Sequence, residues 1–387
     1  MASKPWNGCG PGKRVVSTLA DIAIAMNNSS ISVSRLHQIE QARNDILIEG
    51  ALSTPWVHDW VSQSWQRCVQ QGLQPHYEVG FAPLSQAQIN RTLEQNHDFV
   101  QAAKPELERL GRAIAGTSFF ALITDAQGVV VDTSEGIDRQ DKRIDAIARV
   151  GVDLSEQAVG TTAISAALTT RKPVWLHRGE HFFKDTSVYS CAGAPLWNGQ
   201  GECIGMLDLT GVMSQERPEL MHLAELSARS ISNALLLRQP HHLLLRLNWP
   251  GRLLGDDNDG LVLLDSDGCV LGANLLARDM LNLARHHQAH ANDLFAIPMG
   301  LLFDAAAAGD TMEVPLWSGL HLHLQACLQH SCHTATQPAT TGALRQIQSA
   351  MIQQAMAHAK GNVAQAAKAL GISRATLYRK LARKHSH

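Results

Sequence analysis

No uninterrupted run of about 20 apolar residues occurs in the 387-residue chain, and a helix needs about that many to cross a bilayer; this argues against a membrane span. A phosphate-binding loop is also missing, since Gly-x-x-x-x-Gly-Lys-Ser/Thr occurs nowhere. The nearest approach, Gly8 to Lys13, has Asn7 where the first glycine belongs and Arg14 where a magnesium-holding hydroxyl belongs. The seven cysteines (Cys9, Cys68, Cys191, Cys203, Cys269, Cys327, Cys332) are odd in number and scattered. They form no regular disulfide framework, which fits a reducing compartment. Acidic residues are absent from the last 45 positions, 343–387, where eight of the 33 basic residues lie. The other 25 basic residues share the rest of the chain with all 35 acidic ones, so a net of −2 hides a tail near +8 on a body near −10. Such asymmetry points to a nucleic-acid partner for one end only.

What is present reads as packed domains. Hydrophobic residues make up 45% and charged residues 18%, values of globular rather than disordered chains, and the length favours two or three domains. Lys13-Arg14 ahead of the run Val15 to Met26 mimic a signal peptide, but Asp21 interrupts it. With a basic tail at the other end, a cytoplasmic location is expected, and residues 1–30 read as a mobile extension.

The tail reads as three helices. Leu344, Ile347, Met351 and Ala355 share one helical stripe, Gly361-Asn362 break it, and Val363 to Leu370 form a second helix. Gly371 fits the left-handed position that ends a helix, and Ser373 is a natural N-cap for a third. On that third helix Leu377 and Leu381 face inward, while Thr376, Arg379 and Arg383 point away, with Ala375 and Lys380 at the flanks. Arg374 lies in the first turn, where recognition helices reach bases or phosphates. The candidate DNA contacts are Ser373, Arg374, Ala375, Thr376, Tyr378, Arg379, Lys380 and Arg383; the plain alternative is a helical hairpin with a solvated basic face. The run Leu370 to Leu381 resembles the Fis-type helix-turn-helix found at the end of many bacterial enhancer-binding regulators. That resemblance implies a homodimer on a near-palindromic operator, with half-sites one helical turn or a multiple apart.

The middle of the chain turns to α+β. Phe119 to Thr124, Val129 to Asp132, Pro173 to Leu176, Cys191 to Leu196 and Cys203 to Thr210 read as strands. Asp125 to Gly128 and Asn198 to Gly201 read as turns. Lys142 to Arg149 and Thr161 to Leu168 look helical, and a long helix from Glu216 to Leu237 offers Leu220, Leu223, Leu226, Ile231 and Leu235 as its apolar stripe. A sheet with helices before and after it suits a small-molecule pocket on one face.

Ser155 to Ile164 resembles the "E…GTNAI" segment of GAF domains in the AcoR/DhaR family of acetoin and glycerol regulators. Glu180-His181-Phe182 matches its "EHF" element, Ser190 to Pro195 its "TCSAAPI" strand, Gly205 to Gly211 its "GVLDLSG" strand, and Ser64 to Cys68 its "SWRRC" element. The resemblance covers about residues 45 to 240. It implies a sensor in which Glu156, Thr161, Thr162, Glu180, His181 and Cys191 converge on a small polar effector such as a polyol or hydroxyketone. The alternative for each is structural, with Glu156 capping the Thr161 helix and His181 anchoring the Phe182-Phe183 loop.

Arg238 to Asn258, with Pro240, Pro250 and several glycines, reads as a boundary. Leu261 to Asn274 and the helix after it resemble the opening of a PAS domain, with Met312 to Leu328 supplying closing strands. His321, His323, Cys327, His330, Cys332 and His333 invite a metal reading, but no standard zinc spacing is present and 321–328 alternates like a strand; no metal or cofactor is expected. The resulting fold class is α+β multidomain. It comprises a helical segment (31–112), a GAF-like antiparallel sheet with flanking helices (113–240), a short PAS-like unit (255–330), a linker (331–342) and an all-α helix-turn-helix (343–387).

Relatives of this layout place an ATPase between sensor and tail. Without its motif, ATP-driven remodelling of sigma-54 polymerase is not carried over, and recruitment or occlusion of RNA polymerase at a promoter is the simpler expectation. Two other readings stay open. The chain can serve as an accessory or antagonist of a sigma-54-dependent activator. Alternatively, Cys191 and Cys203 on neighbouring strands resemble the thiols of GAF-fold reductases or a redox sensor; a DNA-reading tail has no role in such an enzyme. The tail assignment yields a direct test. Replacing Arg379 or Thr376 by alanine is expected to weaken specific operator binding, whereas Lys380→Ala or Arg383→Ala should flatten its salt dependence. Titrations at several salt concentrations distinguish the two, and unchanged binding in the first pair contradicts the assignment of that face.

Overall fold

The computed structural model describes residues 34–285, 288–329 and Gln365. The chain divides into two compact units, Met1–Ala326 and Cys327–His387, and nearly all of the second lies outside the described residues, as do the extension read at 1–30, the linker and the DNA-contact candidates. Helix α1 (34–43) runs into a π-turn, Asn44–Ile48, and is followed by α2 (Asp59–Gln70), α3 (Gln86–Gln95) and α4 (His97–Ile114). In α4, Phe99, Ala103, Leu107, Leu110 and Ile114 recur at spacings of three and four and are all buried, the stripe that drives an amphipathic helix onto a sheet.

That sheet is antiparallel. Its strands are β1 (Phe119–Asp125), β2 (Val130–Thr133), β3 (Val174–His177), β4 (Tyr189–Trp197) and β5 (Cys203–Val212), in the order β2-β1-β5-β4-β3. Between β2 and β3 run α5 (Lys142–Ile147), α6 (Glu156–Val159) and α7 (Ala163–Thr170); α8 (Leu220–Leu237) closes the unit. Strands β4 and β5 are buried almost throughout, so their two faces pack against different layers. Ala192, Ala194, Leu196, Leu207 and Leu209 meet α4 and α8, while Cys191 and Met206 meet the layer of α2 and α7. At Gly205, opposite Asp125, a Cβ would lie 2.0 Å from the Thr124 carbonyl oxygen, so only glycine lets β1 and β5 pair there.

Every strand expected in this unit is present to within two residues. The stripe on α8 is different: Leu226 is 53% exposed, and the buried face is Ala224, Ser227, Ala228 and Ile231. Small residues let the helix axis approach the sheet, and Leu220, Leu223 and Leu235 pack at its margins.

A second antiparallel sheet follows, ordered β8-β7-β6-β10-β9 from β6 (Leu243–Asn248), β7 (Gly260–Leu264), β8 (Val270–Ala273), β9 (Thr311–Pro315) and β10 (His321–Leu328). Its central strand, β6, falls inside the stretch read as a boundary, so this unit begins near 243 and not at 255. Pro240 and Pro250 flank a run in which Leu243, Leu244, Leu245 and Leu247 are all buried; a short continuous apolar run between prolines is the pattern of a core strand. Helix α9 (Leu275–Leu281) packs beside β7. On β10, Leu322 and Leu324 point inward and His321 outward, as the alternation requires, while His330, Cys332 and His333 lie outside the described residues.

Because β6 is a core strand and not a linker, Leu245→Ala should lower the unfolding free energy by ~2–5 kcal/mol. Urea unfolding measures it, and a change within ~0.5 kcal/mol would return the segment to linker status.

Candidate functional site

Strand alternation puts Tyr189, Cys191, Asp208 and Thr210 on the face of the first sheet turned away from α4 and α8, with Cys191 directly opposite Thr210. Asp208 is 1% exposed. Its Oδ2 accepts the Thr210 hydroxyl hydrogen, but its Oδ1 is buried with no hydrogen-bond partner. Burial disfavours the charge and pushes this carboxyl up to about 7. The Cys191 thiol is driven well above its ordinary range, first by burial and then by the Asp208 charge, so it stays S–H. Its Sγ lies 3.3 Å from Thr210 Oγ1 and 3.7 Å from His181 Nε2.

His181 completes the cluster. Its Nδ1 is 2.9 Å from the Arg178 carbonyl oxygen, which can only accept, so Nδ1 carries the hydrogen and Nε2 is a bare acceptor. Burial lowers its pKa to about 4, keeping the ring neutral. The Tyr189 hydroxyl donates to the Arg143 carbonyl at 2.8 Å. Thr162, His181, Tyr189, Cys191, Asp208 and Thr210 line a cavity of about 30 Å³ together with apolar side chains including Phe81 and Ile147. That is about one water's share of volume. The polar atom it offers without a donor, Asp208 Oδ1, is an acceptor, while His181 Nε2 can accept only from the Cys191 S–H.

Of the six residues read as effector contacts, Thr162, His181 and Cys191 line this cavity. Thr162 also N-caps α7 by accepting the Ser165 N–H at 3.1 Å. Glu156 and Thr161 instead fasten α2: Arg67 grips both Glu156 oxygens at 2.8 Å, and Ser64 Oγ lies 2.7 Å from Glu156 Oε2 and from Thr161 Oγ1. Glu180 faces a separate groove that includes Trp56 and Trp175. It accepts from Arg35 and, at 2.6 Å, from the His177 N–H; burial raises it to about 7 against these two partners. The loop at Phe182 is held by Arg43, which donates to the carbonyls of Gly179, His181 and Phe182 at 2.8–2.9 Å.

Asp208, Thr210 and Tyr189 were not singled out from the sequence. The available signal was an acid in a strand otherwise apolar enough to be buried on both faces. Cys191 and Cys203 do lie on adjacent strands, yet Cys191 pairs with Thr210 and Cys203 with Trp197. Six residues of strand separate them, roughly 20 Å, beyond the reach of any disulfide. Among the described residues no group of three or more potential metal ligands occurs, and no helix is long and apolar enough to cross a membrane.

Residues 37–233 match the family model described as MimR, N-terminal domain, and residues 343–383 match the bacterial regulatory proteins of the Fis family, whose helix-turn-helix the tail carries. The acetoin catabolism regulatory protein of Cupriavidus necator is 31% identical over 258 residues, covering 64% of this chain and 38% of that protein. The acetoin dehydrogenase operon transcriptional activator AcoR of Bacillus subtilis is 30% identical over 179 residues, covering 46% of this chain and 29% of that protein. The chain thus spans about a third of the length of the curated relatives it matches. Among solved structures, the Escherichia coli DhaR(N)–DhaL complex gives a TM-score of 0.43 at 15% identity, over 70% of this chain and 99% of that one.

The buried acid makes stability depend on pH in a stated direction. Between the ordinary carboxylate value of about 4 and the folded value of about 7, the folded protein retains a proton that the unfolded chain has released. The Asp208 contribution therefore declines as pH rises through that window. His181 opposes it, since the folded ring lacks a proton that the unfolded chain binds below about 6.5, and its contribution is lost as pH falls towards about 4. Asp208→Asn removes only the first effect. Its stability gain over wild type should grow by up to ~1.4 kcal/mol per pH unit across the window and then level off, as urea unfolding at a series of pH values would read. A gain independent of pH would show that the carboxylate is not desolvated.

Proposed function

Because the chain belongs to the family defined by the MimR N-terminal domain, we propose that it is a transcription regulator whose first sheet binds a small effector and thereby modulates DNA binding by the C-terminal helix-turn-helix. The observation that carries the effector reading is the bare Asp208 Oδ1, buried at a cavity wall beside neutral His181 and Cys191. A buried acceptor left without a donor is costly, and a ligand that donates a hydrogen bond offsets that cost. Because the unpartnered atom is an acceptor, the fitting ligand is a neutral molecule bearing hydroxyl groups, such as a hydroxyketone or polyol; a carboxylate would meet Asp208 with like charge. The names of the acetoin regulators among the relatives agree with this class. Thr162, His181, Cys191 and Asp208 are the proposed contacts. Glu156, Thr161 and Glu180 hold the surrounding elements in place.

Entry enlarges a cavity of about 30 Å³, so binding moves the cavity walls. Strand β5 carries Asp208 on one face and Leu207 and Leu209 against α8 on the other, which makes α8 the receiving element. Shifting α8 changes the spacing of two recognition helices in a homodimer on a near-palindromic operator, and with it recruitment or occlusion of RNA polymerase. Coupling of about 1–3 kcal/mol is enough for such a switch. The state of Cys191 argues against thiol chemistry, because reactivity requires an exposed thiolate.

Titration with a panel of small hydroxyketones and polyols, acetoin included, tests the reading by thermal unfolding and by operator binding. At least one member should raise the unfolding midpoint of the wild type and alter its operator affinity by about 5–150-fold. Asp208→Asn should lose both responses while binding DNA without effector as the wild type does. No response from any member, or a response that survives Asp208→Asn, sinks the proposal.

A further inference from the structure

A second cavity, of about 230 Å³, lies on the opposite side of the first sheet, in the seam between α8 and α9. One wall comes from the elements of the first sheet, with Arg171, Trp197, Glu225 and Arg229; the other comes from α9 beside the second sheet, with Leu276 and Asp279. The seam is pinned by hydrogen bonds. Asn274 Nδ2 donates to Asn233 Oδ1 at 2.9 Å, Arg278 Nη2 to the Gly199 carbonyl at 2.7 Å, and the Ala273 N–H to the same carbonyl at 2.8 Å. The space is therefore a cleft with fixed walls. It is smaller than the ~300 Å³ at which drug-sized pockets begin, which suits a molecule of a few carbons.

Its lining side chains include two guanidiniums and two carboxylates, and the Arg285 guanidinium stands over the same Trp197 ring as Arg171, 5.7 Å from its centroid. Arg229 and Glu225 satisfy each other at 3.4 Å, and Arg229 also holds Asn258 at 2.6 Å. That leaves Arg171 on one wall and Asp279 on the other, neither of them ion-paired among the described residues. Arg171 also sits where an arginine is disfavoured. It ends α7 in the left-handed conformation, φ 59° and ψ 28°, a position that glycine fills without steric cost. Its guanidinium is held over the Trp197 ring, 6.0 Å from the centroid, at the mouth of the cleft. Arg171 and Asp279 are both exposed, so these two charges stand at the rim of the cleft, and a strained backbone that presents a charge there is a reason to look for a ligand.

We propose that this cleft is a second small-molecule site, taking a zwitterion of amino-acid size whose carboxylate meets Arg171 and whose ammonium meets Asp279. A net anion would satisfy only the first wall and a net cation only the second. A ligand that bridges the two ties α8 to the second sheet, so it acts on the same helix as an effector in the Asp208 cavity without sharing a residue with it.

The test uses the full chain and the individual proteinogenic L-amino acids at millimolar concentration as probes, read by thermal unfolding and then by calorimetric titration. One or more should raise the midpoint of the wild type and of Asp208→Asn alike. Arg171→Gly, which relieves the left-handed strain and so folds at least as well, and Asp279→Asn should each weaken binding at least about tenfold. Absence of any shift in the wild type overturns the proposal. So does a shift that persists in both cleft variants, or one abolished by Asp208→Asn alone, which would assign the ligand to the other cavity.

Discussion

Strands β4 and β5 are buried on both faces, and the rest of the first unit is arranged around that constraint. A strand with no solvent face must place every side chain against packed protein. The alternation then sends Ala192, Ala194, Leu196, Leu207 and Leu209 to α4 and α8, and Cys191, Asp208 and Thr210 to the other layer. Asp208 in that setting loses its hydration and recovers the Thr210 hydroxyl at Oδ2, with Oδ1 left without a donor. A carboxyl so placed weakens the fold unless something else approaches it. The supporting layer is correspondingly well tied: Arg67 and Ser64 lock α2 to Glu156 and Thr161, and Arg43 gathers three carbonyls around His181. The frame around the cavity is tied by these hydrogen bonds, and the unpaired oxygen is left facing the space.

The same two strands explain how a change in that layer can reach the second sheet. Helix α8 lies on their apolar face through small residues, and its outer side is bonded to the loop before β7, Arg229 to Asn258 and Ser230 to Asp257, both at 2.6 Å. Buried Asn233 bonds Asn274 at the start of α9. A displacement of β5 is transmitted by packing on one side of α8 and by directional hydrogen bonds on the other. The seam cleft sits along this helix.

Much of this was legible in the sequence, and the parts that were not share a cause. The strands of the first sheet and the hairpin at Asn198 follow from local periodicity and turn residues, which depend only on neighbours. Glu156 did not, because its partner Arg67 lies 89 residues away and nothing local distinguishes an ion-paired glutamate from one awaiting a ligand. Strand β6 was hidden by flanking prolines that signal a boundary, although the four buried leucines between them carried the opposite signal. On α8 leucine content pointed to Leu226, whereas close approach to a sheet favours Ala224 and Ala228. Asp208 carries no local motif that separates it from a solvent-facing strand residue, although an acid in a core strand is the rarer and more telling case.

In the proposed function the sensor sheet controls the DNA-reading tail. Genome-wide DNA occupancy of the tagged chain, compared with the same chain lacking 343–387 and with Asp208→Asn, tests it most directly. Tail-dependent peaks over a shared inverted repeat are expected, with occupancy that changes with growth substrate in the wild type but not in Asp208→Asn. Peaks that do not require the tail, or that respond to growth substrate equally in Asp208→Asn, would contradict it.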